Sequence, residues 1–587
     1  MASTRLSQLL PCVEWLRDYD RNKATQDGVA AAIATLVLIP QSLAYAMLAG
    51  MPPVAGLYAS ILPLVAYSLF GSSNVLAVGP VAVISLMTAT ALHPLFAGDS
   101  AAYVAAAQLL ALMSAGILLV MALLRLGFLA NFLSHPVISG FISAAAVLIA
   151  IGQTQHILGV DIGSDSAPAM LWKLAQEIHH THWPTLAVGL GSLLVLSLAR
   201  SFLKGWLLRL GVPAGLAGNL GKAGPVIVMV LAIAVVSMLH LAQQGVVVVG
   251  DIPRGLPPIS LPALDGPLAL RLLPSALLIS LVGFIESVSI GQTLAARRRQ
   301  QIHPNRELLG LGGANIAAAV SGGFPVAGGF SRSVINFDAG TATPMSGIFT
   351  AAGLVVVMLL FAPLFHNLPR AVLAAVVIVA VISLVDIEAM RRTWRYSRYD
   401  AMAMIATMAG VLVIGIEAGI LIGVSLSLVL FLKRTSQPHI AVVGQLPGSQ
   451  HFRNIQRHDV VESPLVLSLR VDESLYFPNA RYLEDSVAQL VADHPSIQHL
   501  VLMCSAVNLI DASALESLHD INERLDDAGI QLHLSEVKGP VMDQLRKSDF
   551  LSQLSGQVFI SQYDALQALD PLTTKRTLEK PCRRLTP

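Results

Sequence analysis

The chain has 587 residues, 54% of them hydrophobic and 12% charged, with a mean hydropathy of +0.68, whereas soluble domains carry about 25% charged residues. That excludes a soluble globular fold, while three cysteines and 45 glycines without a three-residue period exclude a disulfide scaffold and a collagen-like rod. A net charge of +1 provides no basic field for nucleic acid, and the chain reads as a polytopic α-helical membrane protein.

Residues 1–26 mix Arg5, Glu14, Arg17, Asp18, Asp20, Arg21 and Lys23 ahead of any apolar run, and the first run has no small-residue cleavage site. They read as a cytoplasmic N-terminal segment, not a signal peptide. From 27 to 434 the chain is a series of apolar stretches: 27–49, 52–70, 78–92, 103–123, 127–152, 184–201, 224–242, 274–296, 307–322, 329–340, 345–364, 369–385, 400–415 and 417–433. Most are long enough, at 1.5 Å per residue, to cross about 30 Å of hydrocarbon. This gives 14 spans, with the third and tenth too short and too rich in Gly and Pro for full crossings. An even number returns both termini to one side. The loops on that side hold thirteen Lys and Arg, including Arg200, Lys204, Arg297 to Arg299 and Arg391, against four on the other side, Lys173, Arg254, Arg271 and Arg370. The positive-inside rule then predicts that both termini are cytoplasmic.

The two short segments stand seven places apart, which suits two inverted 7-span repeats. Broken helices at such places commonly point their positive N-termini at an anion. In the first, 71–87, Gly79 and Pro80 precede an apolar helical run, with Val81 between. The second, 321–336, is Gly-rich up to Phe330 and then reads Ser331, Arg332, Ser333. A guanidinium at membrane depth is costly and presents a planar donor fork suited to oxyanions. Glu286 lies mid-way along 277–296 with no charge for a dozen residues upstream, and a carboxylate at that depth is a natural proton carrier. Gln41 and Tyr45, four apart, share one face of the first span just after the helix-disturbing Pro40.

Beyond 438 the pattern changes to strands at 465–471, 499–503 and 531–534 alternating with helices at 480–492, 512–527 and 541–548. Leu515, Leu518, Ile521 and Leu525 share one helical face. This predicts a soluble α/β domain over 438–575 and a tail, 576–587. Cys12, Cys504 and Cys582 are too far apart for a metal site or a disulfide framework and read as reduced thiols. His179, His180 and His182 read as a solvated loop, and Arg297 to Arg299 as positive-inside anchoring. No phosphate-binding loop, nucleophile elbow or zinc-ligand set occurs, so an enzyme is not expected and neither metal nor cofactor is implied.

The segments 40–46 (PQSLAYA), 78–83 (VGPVAV), 283–295 (GFIESVSIGQTLA), 322–336 (GGFPVAGGFSRSVIN) and 415–428 (GIEAGILIGVSLSL) resemble the sulfate permease (SulP) family of anion transporters. The stretch 501–518 (VLMCSAVNLIDASALESL) resembles their STAS domain. The resemblance covers essentially the whole chain. It implies a 14-span core of two inverted repeats, core and gate domains that move against each other, and a homodimer. It also implies an anion site made of Gln41, Tyr45, Val81, Phe330, Ser331 and Arg332, with Glu286 where proton-coupled members keep Glu. Sodium-coupled bicarbonate members have an Asp with a Thr one turn later, and Ile290 occupies that place here. Arg332, absent from some channel-like members, favours coupled transport. In related bacterial regulators a hydroxyl in an Asp-Ser-Ser-Gly turn is phosphorylated, and the corresponding residues here are Asp511, Ala512, Ser513 and Ala514. The resulting expectation is a secondary active transporter of the cytoplasmic membrane, moving sulfate with protons by alternating access. An uncoupled exchanger or bicarbonate or dicarboxylate carrier, and a membrane-anchored STAS regulator with a cytosolic partner, are the rival readings.

Overall fold

The computed structural model describes residues 12–96, 99–131, 134–163, 166–211, 217, 221–253 and 255–581. Arg5, Arg254 and Cys582 lie outside the described residues. The chain divides into two compact units, Met1–Ser427 and Leu428–Pro587.

In the first unit each apolar segment contains a helix. Among the described residues nine helices are long and apolar enough to cross a membrane, and Ala82–Leu92 and Gly224–Met238 are shorter apolar ones. Phe330–Asp338 has nine residues. The first long apolar helix, Arg21–Leu48, starts six residues ahead of the apolar stretch because the Asp20 carboxylate caps it, accepting from the Lys23 N–H at 2.7 Å. It runs through Pro40 without a break. The stretch expected at 127–152 is a short 3₁₀ turn, Leu126–Asn131, followed by a helix over His135–Leu158. Pro136 fits only the first turn, where its missing N–H is not needed, and Gly159 ends the helix at φ 73°. Large apolar side chains such as Leu123, Leu194, Phe202, Val230 and Leu360 stand exposed on the helix surfaces, as a lipid solvent allows.

Two carboxylates, Asp27 in the second turn of its helix and Glu307 in the first turn of the Pro304–Val320 helix, are fully buried. Asp27 accepts from the Ala342 N–H (2.7 Å), the Thr343 N–H (3.0 Å) and the Thr343 hydroxyl (2.5 Å). Glu307 accepts from the Tyr67 hydroxyl (2.7 Å), the Ser72 N–H (2.9 Å) and the Ser72 hydroxyl (2.6 Å). Each bonds residues more than two hundred positions away and closes the chain on itself. Glu307→Ala orphans three donors and is expected to destabilise the first unit by about 3 kcal/mol or more. Glu307→Gln, which keeps one acceptor oxygen, should lose less, and thermal unfolding in detergent measures both.

Following the two short strands β1 (Val78–Gly79) and β2 (Ala327–Gly328) of the first unit, the described residues of the second unit contain β3 (Ile440–Gln445), β4 (Phe452–Asn454), β5 (Val466–Val471), β6 (His499–Met503), β7 (Gln531–Ser535) and β8 (Val558–Phe559), which form one sheet in the order β4-β3-β5-β6-β7-β8. β5 to β8 are parallel, while β3 pairs antiparallel with β4 and β5. Leu467, Leu469, Leu500, Leu502, Leu532 and Leu534 of one face pack with Leu518, Ile521 and Leu525 of the Ala512–Asp527 helix. On the other face Val443, Val466 and Val501 meet Ala565 and Leu566 of the Gln562–Leu569 helix. The strands expected from sequence are β5, β6 and β7; the internal strand β3 was not expected, and neither were the short edge strands β4 and β8, which carry too few apolar residues for a period to show. Burial pushes the Cys504 thiol up to about 12, which leaves it an inert core residue.

His533 on β7 accepts from the Gln557 N–H at 3.0 Å and faces His499 at 3.2 Å. Burial, and secondarily the His499 charge, lower it from 6.5 to about 4. A histidine held neutral in the fold stabilises it above its ordinary value, and this contribution is lost as pH falls from 6.5 towards 4. Amide exchange in β7 should therefore accelerate over that window, and His533→Gln should flatten the dependence.

Candidate functional site

Two breaks in the helical pattern meet in space. Val78–Gly79 (β1) pairs antiparallel with Ala327–Gly328 (β2), with Val78 opposite Gly328 and Gly79 opposite Ala327. Val81 then caps the start of Ala82–Leu92, and Gly329 caps Phe330–Asp338. The first amide N–H groups of each helix, those of Phe330, Ser331 and Arg332 among them, have no intrahelical acceptor. The two caps are neighbours, since a Cβ added at Gly329 would lie 3.2 Å from the Val81 side chain.

Buried hydroxyls and amides hold this pairing. The Ser333 hydroxyl accepts from the Ala77 N–H (3.0 Å) and donates to the Gly329 carbonyl (2.7 Å). The Ser287 hydroxyl accepts from the Gly328 N–H (2.8 Å), and Asn315 exchanges two bonds with the Val326 backbone (2.9 and 3.0 Å). Arg332 is 3% exposed and donates Nη2 to the Pro80 carbonyl. Its guanidinium runs between two glycines: a Cβ at Gly79 would sit 2.5 Å from Nη1, and one at Gly329 would sit 2.8 Å from Nε. A side chain at either glycine would force the guanidinium out of this position.

In front of the pairing lies a cavity of about 410 Å³ whose wall includes Gln41, Phe330, Ser331, Val334, Val376, Arg200 and Lys204. Gln41 is 5% exposed, and its Oε1 has no hydrogen-bond partner among the described residues. Two cations and no carboxylate are among the described lining residues. Helix N-termini, a serine hydroxyl and an amide beside these cations can hold an oxyanion without a direct ion pair.

The residues singled out from sequence thus fall into two sets. Gln41, Phe330 and Ser331 share the cavity wall. Tyr45, Glu286 and Arg332 are within range of one another's charge but are not among the residues bordering that cavity. Glu286 borders a small apolar cavity with Val137, Phe141, Ile285 and Ile420, and its Oε2 has no hydrogen-bond partner among the described residues. Sequence reasoning assigned Arg200 and Lys204 only to topology. Their four-residue spacing, which puts both on one face at the end of an apolar stretch, is the signal the sequence offers. Ser287, Ser333 and Asn315 carried none. His180 bonds Glu177 (2.8 Å), and His182 contacts Thr185 (2.7 Å) and the Gln244 carbonyl (3.0 Å). In the second unit Asp511 caps its helix, accepting from the Ala514 N–H at 2.9 Å, and Ser513 is exposed in the first turn.

The model of the sulfate permease family matches residues 25–407, which hold both broken segments and Glu286, and that of the STAS domain matches 457–565. The chain belongs to the sulfate permease family. Among its relatives, a protein of Arabidopsis thaliana named "Probable sulfate transporter 4.2" is 34% identical over 577 residues, 96% of this chain and 84% of that one. The High affinity sulfate transporter 2 of Stylosanthes hamata is 32% identical, over 97% of this chain and 87% of its own. The solved structure of SLC26A9 matches this member of the family with a TM-score of 0.88 at 21% identity, covering 98% of this chain and 95% of that one. The transmembrane domain of the cyanobacterial bicarbonate transporter BicA covers 70% of this chain and 98% of its own, with a TM-score of 0.57 at 22% identity. This sulfate permease family member is a multi-pass membrane protein with a C-terminal STAS domain, and its relatives carry the names of transporters, not of enzymes.

Proposed function

We propose that this protein is a secondary active transporter that carries sulfate across the cytoplasmic membrane with protons by alternating access. The observation that carries this reading is the pairing of β1 with β2, which sets two helix N-termini side by side behind a cavity bearing Gln41 and Ser331. In this reading the anion is held by the amides at Val81, Phe330 and Ser331, by the Ser331 hydroxyl and by Gln41 and Tyr45. Arg332 supplies positive charge from behind, and Glu286 carries the proton. The names of the curated relatives support sulfate as the anion. Both termini are assigned to the cytoplasm by the bias of Lys and Arg in the loops. A homodimer and a cytosolic partner at the STAS domain belong to the same proposal.

One observation favours a second reading, uncoupled exchange on the same scaffold. Glu286 makes no hydrogen bond to Arg332 and borders a separate apolar cavity. Radiolabelled sulfate uptake into proteoliposomes, with and without an inward proton gradient, separates the two. Concentrative uptake only with the gradient supports symport, equal rates support exchange, and no flux of sulfate or any other anion would leave the membrane-anchored regulator.

A further inference from the structure

The second unit contains a polar cavity that anion transport does not use. Along β5 the side chains alternate: Leu467, Leu469 and Val471 enter the core, while Val466, Ser468 and Arg470 take the other face. Arg470 stands opposite Ala441 of β3, whose side chain is too short to cover it. The end of β4 and the turn after it close the space with Arg453, Asn454, Arg457 and His458, and His439 and Asp472 complete a cavity of about 330 Å³.

Its charge is unbalanced. Asp472 accepts from Arg470 Nε at Oδ1 (2.6 Å) and from Arg470 Nη2 at Oδ2 (3.0 Å), and His439 Nδ1 lies 2.9 Å from the same Oδ2, so the carboxylate is committed to Arg470 and His439. Arg453 gives one N–H to the Phe452 carbonyl at 2.9 Å. The Arg457 guanidinium makes no hydrogen bond or ion pair among the described residues. Among the residues lining the cavity three guanidinium groups therefore meet one carboxylate, and although Glu536 acts on Arg470 from beyond the lining, the balance is positive before either histidine is protonated. Guanidinium forks match phosphoryl oxygens in pairs, and the volume lies at the low end of the range for small-molecule pockets, roughly 300 to 1,000 Å³.

We propose that this cavity is a binding site for a small soluble diphosphate, with Arg453 and Arg457 holding the phosphoryl groups and the Arg470–Asp472 pair fixing the floor. The site lies wholly within the second unit and is independent of the assignment of the transport site.

The test is a calorimetric titration of inorganic pyrophosphate into the full-length protein in detergent and sulfate-free buffer. Saturable binding of one pyrophosphate per chain is expected. Arg457→Gln should weaken it about tenfold or more, and Arg457→Lys should lose less because it keeps the charge without the fork. Because Arg457 is exposed, its variants should keep the wild-type melting temperature and the wild-type sulfate flux measured without pyrophosphate. Arg453→Gln provides the second variant. Pyrophosphate that does not bind, or that binds wild type and both glutamine variants equally, would overturn the proposal.

Discussion

Arg332→Ala is expected to weaken sulfate binding about tenfold or more, because it removes a buried cation from behind the helix N-termini proposed to hold the anion. The size of the effect follows from burial. At 3% exposure the guanidinium is poorly screened by water, and its fork is oriented by the Pro80 carbonyl. Arg332→Lys keeps the charge but loses the fork and should fall between alanine and wild type. An independent perturbation is available at Gly79. A methyl there would sit 2.5 Å from Arg332 Nη1, so Gly79→Ala should displace the guanidinium and lower affinity with Arg332 intact. The pairing keeps the Ser287, Ser333 and Asn315 bonds in each variant, so the protein should still elute as a folded species. Calorimetry with size-exclusion chromatography reads both properties. Unchanged affinity and flux in Arg332→Ala would remove Arg332 from the site.

Glu286→Gln should retain sulfate binding and exchange but lose acceleration by a proton gradient. A divalent anion bound in front of Arg332 adds negative charge near Glu286, and charge repulsion then favours a proton on the acid. Anion and proton bind with positive coupling, and linkage requires each to tighten the other by the same factor. Wild-type uptake should therefore rise as external pH falls, whereas the glutamine variant, fixed in the neutral form, should give a flat profile. The side chain is free to take this part, since its Oε2 has no hydrogen-bond partner among the described residues, unlike Asp27 and Glu307, each held by three donors. Sulfate accumulation on a proton gradient by Glu286→Gln would move the coupling elsewhere. It would favour exchange over another acid, because the fully hydrogen-bonded Asp27 and Glu307 are poorly suited to carry a proton.

The sequence by itself determined the class of the protein, the apolar helices of the first unit and three strands of the second, but not the amphipathic helices Ala167–Glu177 and Ile387–Tyr396. The features it determined depend on hydropathy and periodicity, which are local properties of a chain in lipid or in a small core. It also marked Ser331, Arg332 and Glu286, because polar and charged groups stand out against an apolar run. Helix ends were less legible: the Asp20 cap and Pro136 moved two of them, since a cap overrides the hydropathy boundary. Only the tertiary structure decided which residues meet. The Tyr67 to Glu307 bond joins positions 240 apart, and the Ala77 to Ser333 bond joins positions 256 apart. Serine and glutamate at those places look like any surface residue until the fold buries them. The separation of Glu286 from the cavity that holds Gln41 and Ser331, and the arrival of Arg200 and Lys204 on that cavity's wall, were likewise set by helix packing. Packing depends on the three-dimensional fit of surfaces far apart in the chain, and no window of residues records it.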